Sequence, residues 1–220
     1  MATHKTIAII GASGNMGFAI AKSLATSPYR LLLFGKEEKK LKALLKEIKQ
    51  ANRPATAEIH SCAAGASWEA DIIIAAVPFG AEKDLAEKIK QVATGKIVIS
   101  ISNPLNESYT GLVTDGNTSA AEELQKLLPH SKVVKAFNTT FAGNFLQPVI
   151  DGKTIDAFIA GDDAEALNTV SEVVRYAGFN PVQAGELALS RTLENMQSLL
   201  IRLNIKNNYN WVAGWKLLHN

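Results

Sequence analysis

Short, nearly continuous apolar runs alternate along the chain with longer stretches in which apolar residues return every three or four positions. The runs at 6–10, 30–34, 71–77 and 96–101 are too short for helices and rich in isoleucine, leucine and valine. That is the pattern of strands covered on both faces of a parallel sheet. Shorter runs at 57–60, 132–136, 156–160 and 180–184 read as further strands. Between them, helices are predicted from Met16 onward, over 37–50 with Leu41, Leu44, Leu45 and Ile48 on one face, and over 81–92, 119–128 and 164–176. Ser119 or Thr118 is placed as an N-cap, and Glu122 completes a capping box with Ser119. Asn52-Arg53-Pro54, Pro78 and Ser102-Asn103-Pro104 act as stops. The last helices are expected over 187–203 and 208–218, with Trp211, Trp215 and Leu218 on one face. Phe137, Phe141 and Phe145 recur at four-residue spacing and read as a buried helix face, except that Phe137, at the strand end, is placed to border an acceptor ring. The βα alternation implies a doubly wound, mostly parallel sheet of about eight strands with a short C-terminal helical appendage. No repeat or linker interrupts it, so 1–220 is read as one domain. Its core is 1–150, and 151–220 adds strands and helices.

The first strand runs straight into Gly11, Ala12, Ser13, Gly14, Asn15, Met16 and Gly17, and then into a helix. Strand, glycine turn and helix, in that order, are what a dinucleotide pyrophosphate site requires. Glycines let the backbone approach the phosphates, and the free N–H groups of the helix N-terminus face the anion. In the usual G-x-G-x-x-G pattern, Ala12 stands at the first glycine and Gly14 and Gly17 keep the other two. Ser13 and Asn15 are polar where a phosphate could be reached, which a turn used only for packing leaves unexplained. The expected fold is therefore a Rossmann fold.

The second strand ends Leu33-Phe34-Gly35-Lys36, without the carboxylate that holds a free ribose 2′-hydroxyl. Lys36, followed by Lys39 and Lys40, attracts a 2′-phosphate instead. NADP(H) is thus read in preference to NAD(H), although Glu37 and Glu38 follow in the first helical turn.

Composition narrows the partners. A net charge of +2 and the lack of a basic run with interleaved aromatics argue against nucleic acid. No apolar stretch reaches membrane-spanning length, and residues 1–5 lead directly into the first strand, so neither a membrane segment nor a signal peptide is expected. Cys62 is the single cysteine, read as a small buried residue at the end of the third strand. Its isolation removes intramolecular disulfides and cysteine-rich metal sites, and suits a reducing cytoplasm.

These features together resemble the F420-dependent NADP oxidoreductase family, which also includes the reductase domain of eukaryotic membrane ferric reductases. The resemblance rests on 11–17, 34–40 and 70–78, and continues in 132–139, 160–163 and 184–191. It implies that Ser13, Gly14, Asn15 and Met16 hold the pyrophosphate, and that Gly35, Lys36 and Lys40 hold the 2′-phosphate. Ala76, Val77 and Pro78 would line the path to the nicotinamide, and Ser102, Asn103, Pro104, Ala136, Phe137 and Asn138 would frame it. Two departures stand out. The family typically carries arginine at Lys36 and histidine at Asn138.

No catalytic acid–base set and no metal site is visible. His4, His60, His130 and His219 are scattered over termini and element ends. Hydride transfer between a nicotinamide and a flavin or deazaflavin needs placement more than proton transfer. The expected partner is therefore a small acceptor of flavin or F420 type, bordered by Pro78, Asn103, Phe137 and Asn138. Three alternatives remain. Imine or carbonyl reduction would need a proton donor, for which Ser102, Thr139 and Thr140 are available. A ferric reductase and a non-catalytic NADP(H) sensor are the others. A homodimer is expected.

Overall fold

The computed structural model describes residues 5–51 and 54–218. His4, His219 and the Asn52-Arg53 part of the predicted stop lie outside that range. The strands in chain order are β1 (Thr6–Ile10), β2 (Arg30–Phe34), β3 (Ala57–Ile59), β4 (Ile72–Ala75), β5 (Ile97–Ser100), β6 (Lys132–Lys135), β7 (Val149–Ile150), β8 (Lys153–Thr154), β9 (Asp156–Gly161) and β10 (Asn180–Gly185). The helices are α1 (Asn15–Ser23), α2 (Glu38–Lys49), α3 (Ala63–Glu69), α4 (Glu82–Ile89), α5 (Ala120–Leu127), α6 (Ala164–Tyr176) and α7 (Ser190–Asn207). Eight strands form one sheet in the order β10-β9-β6-β5-β4-β1-β2-β3, and β7 and β8 pair as a small separate hairpin.

Alternating strand residues supply the two faces. Ile7, Ile9, Leu31, Leu33, Ile72 and Ile74 pack with Ile20 of α1 and Leu24 at its C-cap, Leu41 and Leu44 of α2, and Val170 of α6. Ala8, Ile10, Leu32, Ile73 and Ala75 pack with Ala66 of α3, Leu85 of α4 and Leu124 of α5. Because both faces are covered, the strands read as unbroken apolar runs.

The sheet is parallel except where β6 meets β9, with Val134 opposite Gly161 and Lys135 opposite Ala160. A parallel return needs a crossover, usually a helix. Between β6 and β9 the chain makes only a 3-10 turn at Ala142–Phe145 and the short hairpin, so it comes back antiparallel.

Four expectations are corrected here. The crossover from β3 to β4 is made by α3, a helix that the apolar periodicity does not predict. Cys62 is accordingly not a buried strand-end residue. It is exposed and caps α3, its Sγ accepting from the Gly65 N–H at 3.3 Å. Phe137, Phe141 and Phe145 lie on no common helix. Phe137 has φ +60° in the left-handed region, which ends the segment's regularity at once. Finally, 208–218 is not helical. Asn208 leaves α7 at φ 54°, and Asn210 and Trp211 are also left-handed.

The tail then crosses the amino-terminal end of β9 as a strap. Asn204 Oδ1 accepts from the Trp211 N–H at 2.8 Å, and Trp211 lies edge-on to Phe141. Asp156 accepts from Lys216 Nζ at 2.8 Å and from the Leu217 N–H at 2.6 Å. At Gly214 a Cβ would lie 2.8 Å from Ile155, so only glycine lets the tail approach this closely. The expected N-cap at Ser119 is present, with its Oγ accepting from the Glu122 N–H. Glu122 turns its carboxylate to the Ser119 hydroxyl and to Arg191.

Candidate cofactor and acceptor cleft

Strand order reverses at β1: the chain first builds outward through β2 and β3, then crosses to β4 on the other side. At such a switch point the loops following two neighbouring strands diverge and leave a crevice at their carboxyl ends. Here those loops are 11–14 after β1 and 76–80 after β4.

The glycines have distinct tasks. Gly11 has φ +101°, and a Cβ on it would lie 2.1 Å from the Ala76 carbonyl oxygen. Its N–H and that of Ala12 both donate to the Phe34 carbonyl, which ties the loop to β2. At Gly17 a Cβ would lie 2.3 Å from the Gly11 oxygen, so α1 packs directly on the turn. Gly14 differs. Its backbone is ordinary extended (φ −82°, ψ 163°), it is exposed, and its nearest Cβ neighbour is Gly11 O at 3.3 Å. It is the N-cap of α1 and makes no side-chain cap bond. The backbone does not demand glycine there; the open space in front of the helix N-terminus does.

A second group sits beside this loop. Gly35 faces Ser13 so closely that a Cβ would meet Ser13 Oγ at 2.4 Å, and Ser13 Oγ accepts from the Glu37 N–H at 3.4 Å. Lys36 is therefore held next to the glycine loop, exposed, and among the described residues it makes no ion pair. The acids that follow are each matched by a lysine of α2: Glu37 with Lys40 at 2.8 Å and Glu38 with Lys42 at 2.6 Å. The end of β2 thus presents uncompensated positive charge at Lys36.

From the glycine loop a cleft of about 670 Å³ opens past Ala76, Val77 and Pro78 to Ser102 and Asn103. Gly14, Asn15 and Met16 form its other wall. These residues, expected together from the sequence, are brought together. The others are placed differently. Pro104 is buried and outside the cleft lining, as are Ala136, Phe137 and Asn138. Phe137 is fully buried against Phe145 and Phe179, with ring centroids 5.7 and 6.4 Å away. Its left-handed backbone turns the ring into the core, so it does not border an acceptor. Asn138 reaches the cleft only through Asn103. Its Nδ2 donates to Asn103 Oδ1 at 3.0 Å, and Asn103 Nδ2 donates to the Asn138 backbone oxygen at 3.0 Å. Thr139 and Thr140 are buried, and the Thr140 hydroxyl donates to the Phe137 carbonyl. That leaves Ser102 as the hydroxyl of the three that meets the cleft. His60 pairs with Glu69 and His130 is exposed; neither lines the cleft.

The loop 105–113 was missed. Leu105, Asn106, Glu107, Tyr109 and Val113 complete one wall, pinned by the Val113 N–H on the Pro104 carbonyl at 2.7 Å. Its mixed composition carries no periodic signal. Buried polar groups beneath the floor were missed too: Glu82, Lys135 and Glu194 are at most 2 % exposed. Lys135 gave a readable hint, because a charge at the carboxyl end of a central strand lies where the packed helices meet the site. Among the described residues no group of three or more histidine, cysteine, aspartate or glutamate side chains could hold a metal ion, and no helix is long and apolar enough to cross a membrane.

Fold and site together define the class, a Rossmann protein built around a glycine-lined switch point of the nicotinamide dinucleotide type. Residues 6–104 match the family described as NADP oxidoreductase, coenzyme F420-dependent. An F420-dependent NADP reductase of Methanocaldococcus jannaschii is 30% identical over 208 residues, which cover 91% of this chain and 92% of that protein. The chain belongs to this family, and its enzyme class is that of the NADP-dependent oxidoreductases. Metalloreductase STEAP3 of Rattus norvegicus is 39% identical over 100 residues, covering 46% of this chain but 20% of that one. A crystal structure from Arthrobacter sp. FB24, named as a candidate F420-dependent NADP reductase, superposes with a TM-score of 0.84 at 22% identity. It covers 98% of this chain and 100% of that one, and confirms the fold.

Proposed function

We propose that the chain binds NADPH across the switch point and exchanges hydride with a flavin-type or deazaflavin acceptor such as F420. The observation that carries this is the pairing of an open, uncapped α1 N-terminus at Gly14, which lines the cleft, with an acid-free, lysine-bearing end of β2 held against the same glycine loop through Ser13. The backbone N–H groups of Asn15 and Met16 would take the pyrophosphate and Lys36 the 2′-phosphate. The nicotinamide would lie toward Ser102 and Asn103, with Asn138 fixing Asn103. A bound nicotinamide supplies the hydride; the protein supplies position, charge and exclusion of water. A cleft of about 670 Å³ falls within the range for cofactor and small-ligand sites.

Stopped-flow oxidation of NADPH against F420, FMN, FAD, ferric chelates and small imines tests the reading. Fast turnover with F420 or a flavin is expected. Turnover confined to imines or ferric chelates would replace the acceptor, and tight NADPH binding without turnover of any acceptor would make the protein a sensor.

A further inference from the structure

Under the cleft floor, four side chains from four parts of the chain meet outside the cofactor cradle. Lys135, the last residue of β6, is fully buried. Its Nζ donates to Glu194 Oε1 of α7 at 2.6 Å and to the Ser102 backbone oxygen at 2.6 Å. Glu194 Oε1 also accepts from the Ala120 N–H at the start of α5, at 3.0 Å. Glu82, the first residue of α4, accepts at Oε1 from the Ser102 hydroxyl at 2.7 Å. Glu82 Oε2 has no partner, nor has the hydroxyl of Ser100.

Two buried carboxyls therefore share one ammonium group, and Glu194 holds it, although burial raises the Glu194 carboxyl too and its Oε2 is also without a partner. A second buried carboxylate without a counter-ion is costly, and such a group keeps its proton instead. The groups facing Glu82 are Lys135 from β6, Glu194 from α7, and the hydroxyls of Ser100 and Ser102. Burial pushes the Glu82 carboxyl up to about 7, against the opposing pull of Lys135 and Ser102. Ser102, at 7% exposure, is the member of this group that lines the cleft.

The geometry points to Glu82 as a proton store for the cleft, acting through the Ser102 hydroxyl. When Glu82 is ionised, Ser102 donates to it and turns a lone pair to the cleft. When Glu82 is protonated, it donates to Ser102 Oγ, and the Ser102 hydrogen is free to point into the cleft. Ser102 is the group that meets a ligand; Glu82 is a positioning residue behind it.

The inference rests on the proposed reaction and supplies its missing proton. Hydride transfer moves two electrons and one hydrogen from the dihydronicotinamide to the acceptor. It leaves a positive charge on the nicotinamide and a negative charge on the acceptor. The Ser102 hydrogen passes to an acceptor nitrogen as the Glu82 proton moves to Ser102 Oγ. The resulting Glu82 carboxylate offsets the positive ring until solvent returns a proton. The reverse reaction runs these transfers backward.

The first measurement uses the protein without cofactor. Infrared difference spectra across pH 5–9 are expected to show a protonated carboxyl band that disappears with a midpoint near 7. The band should be absent in Glu82→Gln. In Ser102→Ala its midpoint should move up, because the ionised form loses a hydrogen bond. Burial raises the Glu194 carboxyl as well, so no such band in the wild type, or a band unchanged in Glu82→Gln but lost in Glu194→Gln, would overturn the assignment whatever the protein binds.

The second measurement is calorimetric titration of NADP+ and NADPH at pH 7 in buffers of different ionisation enthalpy. The positive ring of NADP+ favours ionised Glu82, so NADP+ should release up to about half a proton more than NADPH. Both ligands carry the 2′-phosphate, so its titration cancels in the difference. Glu82→Gln should abolish that difference, and an unchanged difference would sink the proposal.

The third is single-turnover reduction of FMN by NADPH. Its rate should fall about tenfold between pH 6 and 8 in the wild type and stay flat in Glu82→Gln. A protein that passes the first two measurements but reduces neither FMN nor F420 would keep its proton store and lose the proposed acceptor.

Discussion

At Gly17 a Cβ would lie 2.3 Å from the Gly11 carbonyl oxygen, whereas at Gly14 the same oxygen is 3.3 Å away. The two glycines therefore fail in different ways. Gly17→Ala should cost about 1–3 kcal/mol of stability by forcing α1 away from the turn, as urea unfolding will show. Gly14→Val should fold with near wild-type stability and lose NADPH binding in a calorimetric titration, because its side chain would project into the space before the helix N-terminus. Normal NADPH affinity in Gly14→Val would place the phosphates elsewhere. Lys36 makes a comparable test at the other end of the cradle. It stands beside Ser13 with its following acids already matched by Lys40 and Lys42. Lys36→Ala should weaken NADPH about ten- to a hundredfold, the value of one charge-assisted contact, and leave NADH nearly unchanged. Equal losses for both dinucleotides would remove Lys36 from the 2′-phosphate.

Among the elements, the C-terminal strap depends most on a single side chain. Burial would raise the Asp156 carboxyl, but Lys216, the Leu217 N–H and Asn180 outweigh it and hold the group below its usual value. A carboxyl depressed in the folded state contributes stability that is present above its unfolded value, near 3.8, and lost as pH falls through the folded one. The strap should therefore hold at neutral pH and loosen only in strong acid. Asp156→Ala should loosen it at neutral pH, at a cost of about 2–3 kcal/mol, with tryptophan emission shifted to the red as Trp211 and Trp215 leave their packing. Unchanged emission and stability would show that Gly214 against Ile155 and Trp211 against Phe141 hold the strap unaided.

For the whole molecule, cofactor binding and folding are linked. The cleft joins loops that follow β1, β4 and β5, and the cradle adds the end of β2, so a ligand there bridges half the sheet. NADPH at a hundred times its dissociation constant should stabilise the folded chain by about 2.7 kcal/mol. NADH at the same concentration, bound tenfold more weakly, should give about half of that. Thermal unfolding with each dinucleotide measures the difference, and an equal shift would contradict the preference read from Lys36.

Much of this molecule is written locally. The runs at 6–10, 30–34 and 71–77 can only be strands covered on both faces, since nothing else buries consecutive branched residues in so short a span. The glycine turn and Lys36 lie within thirty residues of the N-terminal strand, so sequence order alone predicts them side by side. The antiparallel return of β9, the inward turn of Phe137, the extended strap after Asn208 and the wall formed by 105–113 were not legible. Each depends on contacts between residues distant in the chain or on a left-handed backbone that composition does not announce. The same holds for Glu82, Ser102, Lys135 and Glu194. Each alone is an ordinary polar residue of a helix, loop or strand. Only packing α4 and α7 against the end of β6 removes water from all four and leaves one ammonium group between two carboxyls. The sequence by itself determined the fold class and the cofactor cradle, because both follow from short-range patterns. The tertiary structure decided which polar groups were desolvated together, because burial is a property of the packed chain and not of any segment of it.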